Sequence, residues 1–404
     1  MKIAVLQDDF PPYHEGGTGI IAYQLAKGFS QRGHEVLVIA STQDSTQIGK
    51  THVDGLPIVR LFSKYHERYR AYRSLYNPSV VGEVSKLLQE FAPDVVHVHN
   101  VHLHLSYYSI VLARRYARRV CMTAHDAMSF SPGKLPLGEN VYRESAWLQL
   151  KTHRWRYNPL RNTIIYHILR HGVDKIIAVS EALGRALAAN GIGNVEVIHN
   201  GINADEWKEP PDVESFKTAR GMRESALLFG GRLSRAKGAL KMVEILAKVA
   251  EAVPDAQLLI IGKKDSHADD MISLARSLGV EEKLVFTGWV TGDDLRRAYW
   301  ASAVVVVPSL YLDPFPTINL EAFACAKPVV ATTLGGSPEI VKDGVSGYVV
   351  NPFEIAAMAE KITELLLDLQ KNKEFGQAGY ESVTKEFSLQ NQIAAYEELF
   401  KSHR

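Results

Sequence analysis

Residues Ala303 to Val307, Ala-Val-Val-Val-Val, narrow what this chain can become more than any other stretch. A run of β-branched residues this short fits a strand buried on both faces, and such strands belong to parallel sheets covered by helices. Comparable runs recur at Lys2–Gln7, His34–Ala40, Asp94–His99, Arg119–Ala124, Val173–Ser180 and Val195–His199. They return at Ala226–Gly231, Leu258–Gly262, Leu284–Thr287 and Val329–Thr332, with a weaker one at Val59–Phe62. Helical periodicity fills the intervals, including one helix from about Thr18 to Arg32. Strands alternating with helices predict α/β architecture with two doubly wound parallel sheets, and 404 residues suffice for two cores. The expected domains are 1–204 and 205–388, joined by a polar linker over Asp205–Glu224 that contains Pro210-Pro211, with a last helix in 389–404.

A hydrophobic share of 46% and a charged share of 23% are ordinary for a soluble enzyme and exclude disordered or fibrous classes. Cys121 and Cys325 sit in different halves, which fits a reducing compartment without a disulfide framework. No stretch approaches ~18 consecutive apolar residues, so no membrane-spanning helix is expected. The opening MKIAVL runs into Gln7-Asp8-Asp9, too short for a signal peptide, and a cytoplasmic location follows. Residues 1–200 carry 23 lysines and arginines against 16 acids, the remainder 23 against 29, so the two domains face different partners.

After the Ala303–Val307 strand come a loop with Asp313 and a helix from Thr317 to Ala326, with Thr317 as its expected N-cap and Glu321 inside it. Two carboxylates and free helix N–H groups thus gather at a strand's C-terminal end, where open α/β sheets bind ligands. The N–H groups favour phosphate and the acids favour hydroxyls; solvated surface acids remain the alternative. Gly231-Arg232-Leu233 through Lys237-Gly238 leaves another strand end with two cations suited to a diphosphate, or simply solvated. Near the N-terminus, Gly17-x-Gly19-x-x-Ala22 formally matches a dinucleotide fingerprint, but nine residues separate it from its strand, which argues against a dehydrogenase. His97, His99, His102 and His104 crowd one strand end without an acid or cysteine at ligand spacing, so no metal site is expected. His125-Asp126 ends another strand, with the carboxylate placed to set the imidazole tautomer.

Asp313-x7-Glu321 within PSLYLDPFPTINLEAFACAKPVVAT, GRLSRAKG, Thr123-Ala-His125-Asp126 and His199-Asn200-Gly201-Ile202-Asn203 together resemble the family 4 retaining glycosyltransferases of the GT-B fold. The resemblance covers nearly the whole chain and is strongest from Gly231 to Gly347. It implies two Rossmann-like domains facing across a cleft that holds the active site, with the last helix crossing back to the first. It implies a nucleoside-diphosphate sugar as donor, UDP- or GDP-linked, with no other cofactor and no metal. Arg232 and Lys237 would neutralise the diphosphate, Asp313 and His125 would hold the sugar, and Glu321 the ribose. Positions Pro316, Thr317 and Ile318 would present N–H groups to phosphate, Gly16 and Gly17 would lie near phosphate and acceptor, and the loop at Gly288 would meet the base. Two positions depart from the family pattern: Asp313 stands where Glu is usual, and Pro316, lacking an N–H, where Gly is usual. The Asn200-Gly201 pair itself reads as a left-handed turn closing the first domain.

The resulting reading is hexosyl transfer to a glycan or lipid-linked acceptor. A non-catalytic binder of nucleotide sugars or glycans on the same fold, and a nucleotide-sugar epimerase, are the rivals. Arg60–Tyr76 and Tyr142–Arg170 interleave cations with Tyr, Trp and Leu, a composition that suits the headgroups of an anionic membrane and predicts peripheral contact with the inner membrane face. No nucleic-acid-binding motif accompanies those charges. No oligomeric state follows from the sequence.

Overall fold

The computed structural model describes residues 1–13, 16–133, 142, 146–153, 158–207 and 212–402. The chain divides into two compact units. Of the described residues, the first holds those through Asn200 and those from Leu389 onward, and the second holds Gly201–Ser388.

The first unit is built on an eight-stranded sheet: β1 (Lys2–Gln7), β2 (Glu35–Thr42), β3 (Gly49–Val53), β4 (Leu56–Phe62), β5 (Val95–Val98), β6 (Arg119–Ala124), β7 (Lys175–Ala178) and β8 (Val195–Val197). Their order is β3-β4-β2-β1-β5-β6-β7-β8. All pairs are parallel except β3 with β4, so the expectation of a purely parallel sheet needs correcting at this edge. Asp54 and Gly55 turn the chain between them with φ of 48° and 82°, the backbone a two-residue hairpin requires. Asp-Gly between two runs is the sequence signal that marks it.

The second unit has six parallel strands: β9 (Ala226–Gly230), β10 (Gln257–Ile261), β11 (Leu284–Gly288), β12 (Val304–Val307), β13 (Val329–Thr332) and β14 (Gly347–Val350). They are ordered β11-β10-β9-β12-β13-β14. All four valines of β12 are buried, as a strand covered on both faces must be. The helix Ala239–Ala252 covers one face, burying Met242, Val243, Leu246 and Val249 at three- and four-residue spacing.

The last helix, Leu389–Lys401, packs in the first unit against helix Gly17–Gln31. Its buried Ile393, Leu399 and Phe400 join a core with Leu25 and Phe29, each contributing about 2 kcal/mol. Asn200 is buried and accepts a hydrogen bond from Gln392 of this helix at 3.3 Å. Neither Asn200 nor Gly201 takes a positive φ, so the left-handed turn expected there is replaced by an anchor for the helix. The expected linker is also largely ordered structure of the second unit. A short 3-10 helix spans Ala204–Trp207 and an α-helix spans Val213–Thr218. Trp300 Nε1 donates to the Trp207 carbonyl at 3.1 Å. Pro210-Pro211 lies outside the described residues.

Strand order reverses beside β1 and β5 in the first sheet and beside β9 and β12 in the second. At such switch points adjacent connections leave in opposite directions and open a crevice at the strands' C-terminal ends. The chemistry-bearing side chains follow there.

Candidate active site

In the second unit, Lys237 and Asp313 arrive from the loops after β9 and β12 and meet at 2.5 Å, Nζ to Oδ2. Ser309 Oγ donates to the same carboxylate oxygen at 2.9 Å. Asp313 is buried, and its carbonyl accepts the Gly336 N–H at 2.8 Å. A Cβ on Gly335 would lie 2.1 Å from the Asp313 carbonyl oxygen, and φ there is 73°, so only glycine lets this loop close over the acid. Burial alone would lower the Lys237 ammonium, but the Asp313 carboxylate and the Tyr311 hydroxyl carry it above the ordinary lysine value. The shorter acid is therefore paired with the cation rather than projecting alone toward a sugar. Arg232 differs: it is exposed, and among the described residues it has no hydrogen-bond or ion-pair partner.

The helix Thr317–Ala324 starts one residue earlier than a Thr317 cap requires. Pro316 is its N-cap and Thr317 its first helical residue, which corrects the expected capping role. Thr317 instead hydrogen-bonds one turn ahead to Glu321, whose carboxylate also accepts the Tyr299 hydroxyl. Burial raises the Glu321 pKa, and these two donors partly oppose it. No side chain caps the first turn, although the Asn319 N–H is taken by the Pro316 carbonyl at 3.1 Å. Ile318 packs on the position of Gly230 at the end of β9. Beside it, Gly231 N–H donates to Ile261 and Gly262 N–H to Gly288, giving a low glycine rim along β9, β10 and β11. Tyr299 and Ser309 are absent from the sequence-based set; both are buried, Tyr299 near the end of the charged helix Gly292–Trp300 and Ser309 just past β12, with no motif to mark them.

In the first unit, His125 follows β6 and its Nε2 lies 2.8 Å from His99 Nδ1 at the end of β5. The rings stack at 18° with centroids 5.2 Å apart. His97 hydrogen-bonds Thr123 at 2.8 Å, and Thr123 meets the Tyr396 hydroxyl of the last helix at 2.9 Å. Burial lowers His97 to about 3 and His125 to about 4, with Asp126 opposing the latter, and places His99 well below its ordinary value. The His125 partner is thus His99 and not Asp126. The Asp126 carboxylate instead accepts the Met128 N–H at 2.8 Å and stands 3.8 Å from His102 Nε2. His104 turns to Ser63 at 3.0 Å. Among the described residues no group of three metal-ligating side chains converges.

Asp8, at the end of β1, was not among the expected site residues. Its carboxylate accepts N–H groups of Leu103, His104 and Leu105 at 2.6, 2.9 and 2.7 Å. Burial raises it to about 7 against those three bonds. Its position at a strand end beside the switch point is the signal that could have found it. Gly16 is the extended N-cap of helix Gly17–Gln31, with no side-chain cap, and open space lies where its Cβ would be. His14 and Glu15 lie outside the described residues. Within the site set, the fold joins Lys237 to Asp313 and Thr317 to Glu321 in the second unit, and it places His125, Gly16 and Gly17 in the first.

Two family models match in succession: Glycosyltransferase Family 4 over residues 15–206 and Glycosyl transferases group 1 over residues 212–382. The chain belongs to the group 1 glycosyltransferases of the GT-B fold, and it is an enzyme of glycosyl transfer. It is 27% identical to an uncharacterized glycosyltransferase of Methanocaldococcus jannaschii over 403 residues, 96% of each chain. Its fold is similar to sucrose-phosphate synthase from Thermosynechococcus elongatus, with a TM-score of 0.79 at 21% identity over 99% of this chain and 98% of that one. It is also similar to Anabaena HepE in complex with UDP-glucose, with a TM-score of 0.76 at 20% identity over all of both chains.

Proposed function

We propose that this enzyme moves a hexosyl group from a UDP- or GDP-linked sugar to a hydroxyl of a glycan or lipid-linked acceptor, with retention at the anomeric carbon and without a metal. The observation that carries the reading is in the second unit: an exposed Arg232, without a hydrogen-bond or ion-pair partner among the described residues, follows the same strand end as Lys237, which pairs with Asp313 from the neighbouring strand end. A free guanidinium and an ammonium suit a departing diphosphate, whose charge grows as the glycosidic bond breaks. Uncapped N–H groups at Thr317 and Ile318 add to that field. Glu321, fixed by Tyr299 and Thr317, would take ribose hydroxyls. Backbone groups at Gly288 would meet the base. Asp313 would act on the sugar while holding Lys237. Neutral His125 would hydrogen-bond a sugar hydroxyl, and Gly16 and Gly17 would flank phosphate or acceptor. The UDP-glucose bound by the Anabaena protein supports a nucleotide sugar as donor.

A peripheral lipid contact has support in the first unit, where Tyr69, Tyr72, Tyr76 and Tyr108 are exposed among Arg68, Arg73 and Arg115. Within Tyr142–Arg170, residues 143–145 and 154–157 lie outside the described residues. Trp147, Leu150, Leu160 and Ile164 there are exposed. Among the described residues no helix is long and apolar enough to cross a membrane.

Thermal melting with UDP, GDP, ADP and their glucosyl forms tests the donor. One diphosphate should raise the melting temperature while its nucleoside does not. Hydrolysis or transfer of the matching sugar, with the product's anomeric configuration read by NMR, separates an enzyme from a binder on the same fold. No shift with any nucleotide would remove the donor reading.

A further inference from the structure

A cavity of about 160 Å³ lies in the first unit, lined by Arg70, Ser74, His102, Met128 and Arg161 together with Ala71 and Pro132. It is several times the ~30 Å³ that one water occupies. Arg161 opens the helix Arg161–Gly172 and is only 2% exposed. It donates from Nη2 to the Met128 carbonyl at 2.5 Å and from Nη1 to Asn162 Oδ1 at 2.9 Å. Arg70 reaches the Met128 sulfur at 3.8 Å, and its buried Nε has no partner. Ser74 is 1% exposed, and its Oγ also has no partner. Among the described residues neither arginine forms an ion pair with a carboxylate. Burial, with both guanidiniums, outweighs Asp126 in lowering the His102 pKa, so the imidazole adds no third charge.

Arg161 is buried and Arg70 half-buried at this wall; Asp126 acts on Arg161 only through space, and among the described residues no carboxylate hydrogen-bonds either guanidinium, an arrangement that an added anion completes. The fitting partner is a group with several oxygens that accepts forked N–H donors and a hydroxyl. We propose that this cavity binds a phosphoryl group carried by the acceptor, with Arg70 and Arg161 on its oxygens and the Ser74 hydroxyl donating to a third. The inference rests on the glycosyl-transfer reading, which it narrows to an anionic acceptor. His102 forms the wall nearest the reacting side: its Nε2 is 3.8 Å from Asp126, the residue after His125. A phosphoryl group held here leaves the rest of the acceptor at the strand ends where His125 sits. The phosphoryl group can come from a soluble sugar phosphate or from a lipid headgroup.

Titration of inorganic phosphate into the intact protein, followed by calorimetry, tests the site with Arg70→Gln, Ser74→Ala and Arg232→Gln compared in parallel. Arg70→Gln should weaken one class of phosphate binding at least tenfold and Ser74→Ala about threefold, while Arg232→Gln retains that class. Among the described residues the Arg70 and Ser74 side chains make no hydrogen bond to backbone, so both variants should fold, unlike a change at Arg161, which holds the Met128 carbonyl. Competition then identifies the source. Displacement by glucose 6-phosphate but not glucose means a soluble sugar phosphate. Displacement by phosphatidylglycerol vesicles but not phosphatidylcholine means a lipid headgroup. Phosphate binding unchanged in both Arg70→Gln and Ser74→Ala overturns the site, and displacement by neither competitor overturns its role in acceptor capture. UDP melting shifts in Arg70→Gln should equal those of the wild type. Their absence from the wild type would sink the donor reading while leaving the phosphate result to stand alone.

Discussion

Both units place their chemistry at the C-terminal ends of parallel strands, yet they prepare opposite electrical environments. In the first, His97, His99 and His125 form a stacked, hydrogen-bonded group that burial keeps neutral. In the second, Lys237 and Asp313 form an ion pair at 2.5 Å that raises the Lys237 ammonium above its ordinary value, and the Arg232 guanidinium is exposed. One topology therefore supports both a neutral hydrogen-bonding surface for hydroxyls and a charged surface for an anion. The sheet fixes where the side chains emerge; the depth of burial and the partner each one finds decide its charge.

The sharpest way to break the comparison is Lys237→Ala. It strands a buried Asp313 carboxylate and should cost about 3–5 kcal/mol in urea unfolding. Lys237→Met with Asp313→Asn should recover most of that loss. A stable single mutant would show that the pair is not electrostatically coupled.

Acid should weaken the first unit through its imidazoles. An unfolded histidine protonates near 6.5, whereas His125 resists to about 4, so its contribution is complete above pH 6.5 and is lost as pH falls toward 4. The full interval corresponds to about 3 kcal/mol. Unfolding curves between pH 4 and 8 should therefore slope, and His125→Asn should flatten them. Asp8 acts in the opposite sense: raised to about 7, it contributes most near pH 4 and loses that contribution as pH rises toward 7. Asp8→Asn should steepen the acid loss.

Arg232→Ala should leave stability within about 0.5 kcal/mol of wild type, because the side chain is exposed and has no partner among the described residues. Its effect should appear in function, where losing a charged hydrogen bond of roughly 1.5–3 kcal/mol lowers diphosphate affinity or turnover ten- to hundredfold. Calorimetry with the preferred nucleotide measures it directly. Glu321→Gln should be milder, about tenfold in nucleotide affinity, since the amide oxygen can still accept from Tyr299 and Thr317. A Glu321→Gln variant weaker than Arg232→Ala would reverse the assignment of the stronger anchor.

The strand–helix alternation, the two-unit division and the segments bearing Arg232, Lys237, Asp313 and Glu321 are legible in the linear chain. Apolar periodicity and strand-end motifs are local properties that need no knowledge of the partner. Asp54-Gly55 carries its hairpin in two residues and is equally readable. Only the tertiary structure joins Lys237 to Asp313 across 76 positions, or His99 to His125 across 26. It alone assigns Asp8 to three N–H groups nearly a hundred residues away and builds a cavity from Arg70, Ser74 and Arg161. Sequence determines which groups leave the strand ends, because that depends on neighbours along the chain. Pairing, burial and charge state depend on neighbours through space, and those exist only once the sheets have closed.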